Sequence, residues 1–286
     1  MLTKLLLILT FPLWCIPAYL NVRHMKSDQQ LMKKSPEELI GERFNIKREG
    51  QKDVSVNLYM LKDGQKHPLV VNIHGGAFVY GDADTLDTQS ARISKEWQVN
   101  VVSPNYTLAD AGKTEEGVVY QLAETIDTVK YFASHAEDFG VSSDNIFLMG
   151  YSAGGYLAMA SVISLLEENV PIKGQIICYG LTANTTERFK ALPEELKKKL
   201  PPSLFVLARK DDAMNKGQRE YIEAIRSEGR QADVVIYDNA LHGFMEQNDP
   251  ETEKLYFKDA RSPEQERLAK EAEREVGAWL KKQLAL

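Results

Sequence analysis

The sequence predicts an α/β fold with a mostly parallel, twisted sheet, helices on both faces and a short lid. Apolar strand-like runs alternate with longer helical patterns along the chain, and such alternation favours a parallel sheet. Several runs are apolar almost throughout, as expected where both faces of a strand are covered. The length of 286 residues suits such a fold and allows a sizeable core.

Seven apolar runs are interpreted as strands and four longer patterns as helices. No helical pattern separates the first two strands, so we expect them to pair antiparallel at one edge of the sheet. The stretch Leu181–Pro202 lacks a strand pattern and is the candidate lid. The predicted strands are Asp53–Leu61, Pro68–Ile73, Val99–Ser103, Asn145–Met149, Gly174–Tyr179, Ser203–Ala208 and Ala232–Tyr237, and the predicted helices are Glu115–His135, Ala153–Glu168, Lys216–Glu228 and Pro263–Leu284.

Residues 1–20 predict a signal peptide or a membrane anchor. Lys4 precedes Leu5–Leu20, in which only Thr10 is clearly polar. This run is short for a bilayer span and fits the apolar part of a secretory signal. A retained anchor is the alternative, and a buried N-terminal helix is a third reading that Pro12 and Pro17 disfavour. We expect a secreted or cell-envelope location, with a cytoplasmic one as the alternative.

The rest of the chain is divided into a polar N-terminal or cap segment, residues 21–52, and a main domain, residues 53–286. The chain has 35 basic and 41 acidic residues, so no nucleic-acid partner is expected. Membrane contact is expected only through the N-terminal segment. Cys15 lies in that segment and Cys178 in an apolar run, so neither a disulfide nor a metal site is predicted. No cofactor is expected, and the sequence leaves the oligomeric state open.

The run Asn145–Met149 leads into Gly150-Tyr151-Ser152-Ala153-Gly154, and a helical pattern follows. A Gly-x-Ser-x-Gly pattern between a strand and a helix indicates a nucleophilic serine on a sharp turn. Flanking glycines allow the close crossing of strand and helix. The helix N-terminus favours negative charge developing beside the hydroxyl. Ser152 is therefore the candidate nucleophile, and a glycine-rich turn with a capping serine is the alternative.

A serine hydroxyl needs an adjacent base, and His242 is the candidate. This strand–turn–helix context places the partners after the serine in the order Asp or Glu, then His. Of the five histidines, only His242 follows Ser152. It stands in a loop just beyond a predicted strand.

The acid is expected between these two residues. The predicted strand Ser203–Ala208 is followed by Asp211 and Asp212, and either lies at the right edge of the sheet. Asp233 would lie at the far end of its strand, and Asp238 is too close in sequence to His242. The acid would hold the imidazole tautomer and stabilise the imidazolium.

His74-Gly75-Gly76-Ala77 follows the apolar strand Pro68–Ile73. Glycines at a strand end allow backbone to approach another group closely. In folds with this serine turn, N–H groups of such a loop bind the developing oxyanion. We expect His74 to brace the loop rather than to act as the base.

With these motifs, the chain resembles the α/β-hydrolase superfamily and, within it, the hormone-sensitive-lipase-like and acetyl-esterase branch. The resemblance covers residues 53 to the C-terminus and includes Asn105-Tyr106 and His242-Gly243-Phe244. It implies Asp211 as the triad acid, because the family has a glycine six positions after the acid and Gly217 stands there. It also implies oxyanion N–H groups from Gly76, Ala77 and Ala153. Three residues depart from the family pattern, namely Ala77, Tyr151 and Asp212.

The resemblance implies a serine carboxylesterase that hydrolyses short acyl esters, for example acetyl esters, through a Ser152–His242–Asp211 triad and an acyl-enzyme. The expected partner is a small-molecule acyl ester. Two related alternatives are an arylformamidase-like amidase and a peptidase of the same fold. A different class of alternative is a binding protein on a hydrolase scaffold that has lost catalysis, and the presence of His242 argues against it.

Overall fold

The computed structural model describes residues 33–110, 114–248 and 261–285. Its sheet has eight strands in the order β1-β2-β4-β3-β5-β6-β7-β8. Only β2 runs opposite to the other strands. The predicted mostly parallel α/β sheet is thereby confirmed. The strands are β1 (Glu42–Ile46), β2 (Val54–Tyr59), β3 (His67–Ile73), β4 (Asn100–Asn105), β5 (Val141–Tyr151), β6 (Gly174–Cys178), β7 (Ser203–Ala208) and β8 (Ala232–Tyr237).

Helices cover both faces of the sheet, as predicted. Helices α1 and α8 pack with one set of strand side chains, and α2, α3 and α6 pack with the alternate set. A short 3₁₀ helix, Ala83–Leu86, precedes α1. The α-helices are α1 (Asp87–Trp97), α2 (Thr114–Ser134), α3 (Ala153–Glu167), α4 (Thr185–Lys190), α5 (Glu194–Lys197), α6 (Asp212–Ser227), α7 (Phe244–Gln247) and α8 (Pro263–Leu284).

The expected antiparallel pairing of the first two predicted strands is wrong. The strand predicted at Asp53–Leu61 is β2 and pairs with β4, whereas the strand predicted at Pro68–Ile73 is β3 and lies between β4 and β5. β3 is fully buried from Leu69 to Ile73, so strands on both edges and helices on both faces cover it. The crossover through α1 returns the chain beside β3, and β2 pairs with the other edge of β4.

Helix α1 was not predicted, because its buried face mixes polar side chains with the apolar Ala91, Ile93 and Trp97. Ser90 accepts a hydrogen bond from the Asn72 amide at 3.0 Å, and the Ser94 hydroxyl donates to the Tyr59 carbonyl at 3.1 Å. Gln89 accepts from the Tyr151 hydroxyl at 2.8 Å. These buried groups satisfy one another by hydrogen bonds. A search for apolar periodicity does not detect a face of this kind.

The N-terminal segment adds a strand to the sheet. β1 lies at residues 42–46, so the sheet begins before Asp53, where the main domain was expected to start. Lys34 pairs with buried Asp87, and Arg43 pairs with buried Asp84. The described part of the segment is thereby fastened to the domain. The predicted signal or anchor, residues 1–20, lies outside the described residues.

The candidate lid, residues 181–202, contains the short helices α4 and α5. Phe189 and Leu200 in this stretch are fully buried in the core, and the Leu181 N–H donates to the Ser152 carbonyl at 3.1 Å. The stretch therefore begins beside the serine turn and packs into the domain further on. No helix within the described ranges has the length and apolar character needed to cross a membrane.

Candidate active site

Ser152 occupies a strained turn between β5 and α3. Its backbone has φ 51° and ψ −113°, a region that non-glycine residues adopt at a cost. A Cβ on Gly150 would lie 2.1 Å from the Gly154 carbonyl oxygen, and a Cβ on Gly154 would lie 2.2 Å from the Ile73 carbonyl oxygen. Both flanking positions therefore require glycine. The Ser152 N–H donates to the Cys178 carbonyl at 3.0 Å, which anchors the turn to β6.

The structure brings Ser152, His242 and Asp211 together. Nε2 of His242 lies 2.8 Å from Ser152 Oγ, and Nδ1 lies 2.5 Å from Asp211 Oδ2. An ionised carboxylate only accepts hydrogen bonds, so Nδ1 carries the proton and Nε2 is left to accept from the serine. The His242 side chain is 36% exposed and that of Asp211 13%. The serine and base therefore face solvent, and the acid lies behind them.

The other candidate carboxylates are placed elsewhere. Asp211 stands immediately before α6, and Asp212 is exposed as its first residue. Asp233 accepts from the Trp279 indole at 2.7 Å, and Asp238 pairs with Arg209. Neither interacts with the histidine.

A close approach also explains the glycine six positions after Asp211. A Cβ on Gly217 would lie 2.1 Å from Oγ1 of Thr182, in the stretch that follows β6. This glycine therefore allows α6 to pack closely beside the segment that begins at the serine turn.

The loop after β3 presents backbone N–H groups beside the serine turn. Gly76 has φ 118°, and Ala77 has φ 50°. A Cβ on Gly76 would lie 1.9 Å from the Tyr80 carbonyl oxygen, so only glycine fits there. Ala153 begins α3, where helix N–H groups lack partners within the helix. In the part of the chain that is described, the N–H groups of Gly76, Ala77 and Ala153 have no hydrogen-bond acceptor.

His74 braces this loop, as expected, and lies away from the triad. Its Nδ1 donates to the Gly75 carbonyl at 2.6 Å, and its ring stacks on Tyr106 with centroids 4.1 Å apart. The Tyr106 hydroxyl in turn donates to the His74 and Gly75 carbonyls at 3.0 and 3.1 Å. Burial lowers the pKa of His74 to about 4, so this histidine is neutral at physiological pH.

Glu246 is a site residue that sequence reasoning missed. Its side chain is buried, and Oε2 accepts a hydrogen bond from the Gly75 N–H at 3.1 Å. Burial raises the pKa of this carboxyl to about 7, against opposing effects of the Gly75 N–H and the His242 charge. A glutamate four positions after a histidine carries no sequence signal of burial. Only its contact with Gly75, in the loop after β3, shows that it belongs to the site.

The site has the parts that acyl transfer requires: a hydroxyl, a base in reach of it, an acid in contact with the base, and backbone N–H groups without acceptors in the serine turn and the neighbouring loop. Over the described ranges, no group of three or more His, Cys, Asp or Glu side chains is arranged to hold a metal ion. Buried Cys178 is a free thiol, and burial raises its pKa.

Sequence comparison finds related hydrolases. A family model described as alpha/beta hydrolase fold matches residues 70–200. The acetyl esterase of Salmonella paratyphi B is 27% identical over 143 residues, which cover 48% of this chain and 42% of that protein. The matched region therefore spans less than half of that curated relative.

Structure comparison finds the same fold in solved esterases. The fungal esterases from Rhizomucor miehei include a chain that matches with a TM-score of 0.71 at 20% identity, over 92% of this chain and 90% of that one. The hyperthermophilic esterase from the archeon Pyrobaculum calidifontis matches with a TM-score of 0.69 at 22% identity, over 93% of each chain. These likenesses extend over nearly the whole chain, beyond the region matched in sequence.

Proposed function

This chain belongs to the α/β-hydrolase superfamily, on its hormone-sensitive-lipase-like and acetyl-esterase branch, and we propose that it is a serine carboxylesterase acting on short acyl esters. The observation that carries the proposal is the hydrogen-bonded series Ser152–His242–Asp211, together with backbone N–H groups without acceptors in the serine turn and in the loop packed against it. A hydroxyl, base and acid in contact constitute the geometry that nucleophilic catalysis needs.

In the first half-reaction, Ser152 Oγ attacks the ester carbonyl carbon while its proton passes to Nε2 of His242. The carbonyl oxygen becomes an oxyanion, which the N–H groups of Gly76, Ala77 and Ala153 stabilise. Asp211 stabilises the imidazolium without taking its proton. The bond between the acyl carbon and the alkoxy oxygen then breaks, and His242 protonates the leaving alcohol.

In the second half-reaction, water attacks the acyl-enzyme and His242 takes one of its protons. The same N–H groups stabilise the second oxyanion. The bond between the acyl carbon and Ser152 Oγ breaks, and the proton returns to the serine. The products are a carboxylic acid, an alcohol and the free enzyme, so no redox partner or cofactor takes part in the reaction.

A short acyl chain is the proposed substrate class. Curated relatives of the chain from several Salmonella strains are named acetyl esterase. The family-model match, residues 70–200, includes the serine turn. Location outside the cytoplasm, through residues 1–20 as a signal or anchor, is proposed from the sequence pattern alone.

The experiment is hydrolysis of 4-nitrophenyl acetate, butyrate and octanoate by the full chain and by Ser152→Ala. We expect turnover that decreases with acyl length, and a loss of about 10⁶-fold in kcat in Ser152→Ala. The matched control is Ser161→Ala, because Ser161 is a buried serine of α3 whose hydroxyl has no partner among the described residues. It should keep the wild-type rate.

Activity that survives in Ser152→Ala would overturn the assigned nucleophile. A folded wild-type chain that hydrolyses none of the three esters would overturn the carboxylesterase proposal. N-formyl aryl amides and then ligand-binding screens would be the next measurements. A maximum at octanoate would contradict the short-acyl assignment while retaining the mechanism.

A further inference from the structure

We propose that Glu246 is a positioning residue of this site, which holds the oxyanion loop through Gly75 and sets the charge beside His242. The oxyanion loop is residues 74–81, between β3 and the 3₁₀ helix. The inference rests on the proposed function, because it assigns a role in that same reaction. It concerns a residue that does not itself touch the reacting atoms.

The carboxylate of Glu246 contacts the oxyanion loop directly. Oε2 of Glu246 accepts the Gly75 N–H at 3.1 Å. A Cβ on Gly75 would lie 2.6 Å from Oε1 and 3.0 Å from Oε2, so the carboxylate occupies the space next to this glycine. Gly75 directly precedes Gly76, whose N–H is a proposed oxyanion donor. A carboxylate that holds Gly75 therefore controls where the donor points.

Glu246 lies on α7, the short helix that follows the base His242 in the chain. Helix α7 begins two residues after His242, and Gly243 makes the turn with φ 78°. The Glu246 N–H donates to the Tyr179 hydroxyl at 3.4 Å, and the Tyr179 ring packs edge-on against His242 with centroids 5.2 Å apart. The short helix thus fixes the base and the loop anchor relative to each other.

The charge of the Glu246 side chain supports the second part of the proposal, its effect on His242. Glu246 is 5% exposed, and among the described residues no Lys or Arg contacts it. Burial raises its pKa to about 7, whereas the charge of His242 opposes this rise. Ionised Glu246 therefore favours the imidazolium that His242 becomes when it takes the serine proton. The charge is poorly screened by solvent at this depth.

The other titratable groups that act on Glu246 stay neutral near pH 7. Burial raises the pKa of each of them, and the Glu246 charge adds to the rise. In the described part of the chain, the charge at this place therefore depends on Glu246 and His242. These neutral groups are Tyr80 from the oxyanion loop, Tyr151 from β5, Cys178 from β6 and Tyr179 just after β6.

A purely structural role would need only an acceptor for the Gly75 N–H. Glu246→Gln retains an amide oxygen of the same reach and removes the charge, and therefore separates the two roles. The matched control is Glu124→Gln. Glu124 is also buried and accepts a loop N–H, that of Thr107, at 2.6 Å, outside the site.

The first measurement is kcat and KM for 4-nitrophenyl acetate from pH 5 to 9, with the full chain. We expect Glu246→Gln to keep KM within about twofold, to lose about tenfold in kcat at pH 8, and to move the acid limb of kcat/KM to lower pH. The acid limb moves because His242 loses a neighbouring negative charge. Glu124→Gln should keep the wild-type profile.

The second measurement is the titration of His242 by NMR in ¹³C-histidine-labelled full chain, which needs no turnover. We expect a lower midpoint in Glu246→Gln than in the wild type, because a neighbouring negative charge is removed. An unchanged midpoint together with an unchanged pH profile would overturn the inference. Absence of turnover in the wild type would defeat the proposed function instead, and the NMR titration would still decide the charge role.

A third variant covers a failure of Glu246→Gln to fold. Glu246→Asp keeps the charge and shortens the reach to Gly75, so we expect lower kcat with the wild-type acid limb. Wild-type kcat in Glu246→Asp would show that the distance to Gly75 is unimportant and would overturn the positioning role.

Discussion

Nε2 of His242 lies 2.8 Å from Oγ of Ser152, although the two residues are 90 positions apart in the chain. They meet because β5 and β8 end at the same edge of a parallel sheet. Ser152 directly follows β5, and His242 stands in the loop after β8, which ends at Tyr237. Asp211 reaches the other nitrogen of the same ring from the end of β7. Four predictions follow from this geometry and from the buried polar groups around it.

Replacement of Asp211 should damage catalysis far more than replacement of its neighbour. Asp211→Asn leaves an amide opposite Nδ1 and favours the wrong imidazole tautomer, so we expect kcat to fall by about 10⁴-fold. Asp212→Asn is the control, because Asp212 is exposed at the start of α6 and should stay within about twofold of the wild-type kcat. Steady-state hydrolysis of 4-nitrophenyl acetate measures both. A larger loss in Asp212→Asn would reassign the acid.

Removal of the strain at Ser152 should stabilise the fold and abolish activity. The φ of 51° and ψ of −113° cost a non-glycine residue about 1–3 kcal/mol. Glycine tolerates such angles but loses about 0.5–1 kcal/mol of entropy relative to alanine. We therefore expect the free energy of unfolding of Ser152→Gly to be about 1 kcal/mol higher than that of Ser152→Ala. Urea denaturation of the two variants measures the difference. A glycine variant less stable than the alanine variant would contradict the strain.

Asp87 should be a main support of the N-terminal segment. Its side chain is fully buried and is an acceptor for groups from three parts of the chain. Asp87→Asn removes the charge opposite Lys34 and places an NH₂ group among donors. We expect a loss of about 3–5 kcal/mol in the free energy of unfolding. The donors are Lys34 Nζ at 2.7 Å, Ile40 N at 3.0 Å, Gly41 N at 3.1 Å and Tyr59 OH at 2.9 Å.

The control for Asp87→Asn is Asp63→Asn. Asp63 contacts His67 and its side chain is 47% exposed, so solvent screens this contact and Asp63→Asn should lower the free energy of unfolding far less than Asp87→Asn does. Urea unfolding of the full chain measures both variants. Equal losses in the two variants would show that burial of Asp87 does not determine the effect.

Stability should fall in acid because of His74. Its pKa drops from 6.5 to about 4 on folding, so between these values the unfolded chain binds a proton that the folded chain does not. Stability from this group is complete above pH 6.5 and is lost as pH falls toward 4, by about 3 kcal/mol. His74→Asn keeps a donor for the Gly75 carbonyl and should lack this loss. Urea midpoints from pH 7 to 4 measure the difference.

The contribution of Glu246 to stability changes with pH in the opposite direction, so it must be separated from the contribution of His74. The pKa of Glu246 rises from 4.5 to about 7 on folding, so its ionisation removes stability as pH rises through that window. Subtraction of the His74→Asn curve from the wild-type curve cancels this contribution, because Glu246 is present in both. A difference that is flat with pH would contradict the buried neutral state of His74.

Local patterns were sufficient for much of the fold. β7, β8 and α8 have the predicted bounds, because apolar runs and a Ser-Pro helix start are local signals. The serine turn was also recognisable, since steric contacts require glycine at 150 and 154. Elimination pointed to His242 as the candidate base, because it is the one histidine of five that follows Ser152.

Other features depend on contacts between distant residues. The buried face of α1 includes polar residues, which weakens its apolar pattern, and β1 is an edge strand with exposed residues. The position of β3 between β4 and β5 follows from burial on every side. The residues alone left Asp211 and Asp212 as alternatives, because the two are adjacent just beyond the end of β7 at Ala208. Only Asp211 reaches Nδ1 of His242.

The sequence by itself determined the α/β class, the serine turn and the histidine, because these follow from local sterics, periodicity and residue order. The tertiary structure alone decided the strand order, the contact between Asp211 and His242, and the burial of Glu246 against Gly75. Charge and hydrogen bonding across long sequence separations depend on which strand ends lie side by side. That arrangement arises only when the whole sheet is assembled.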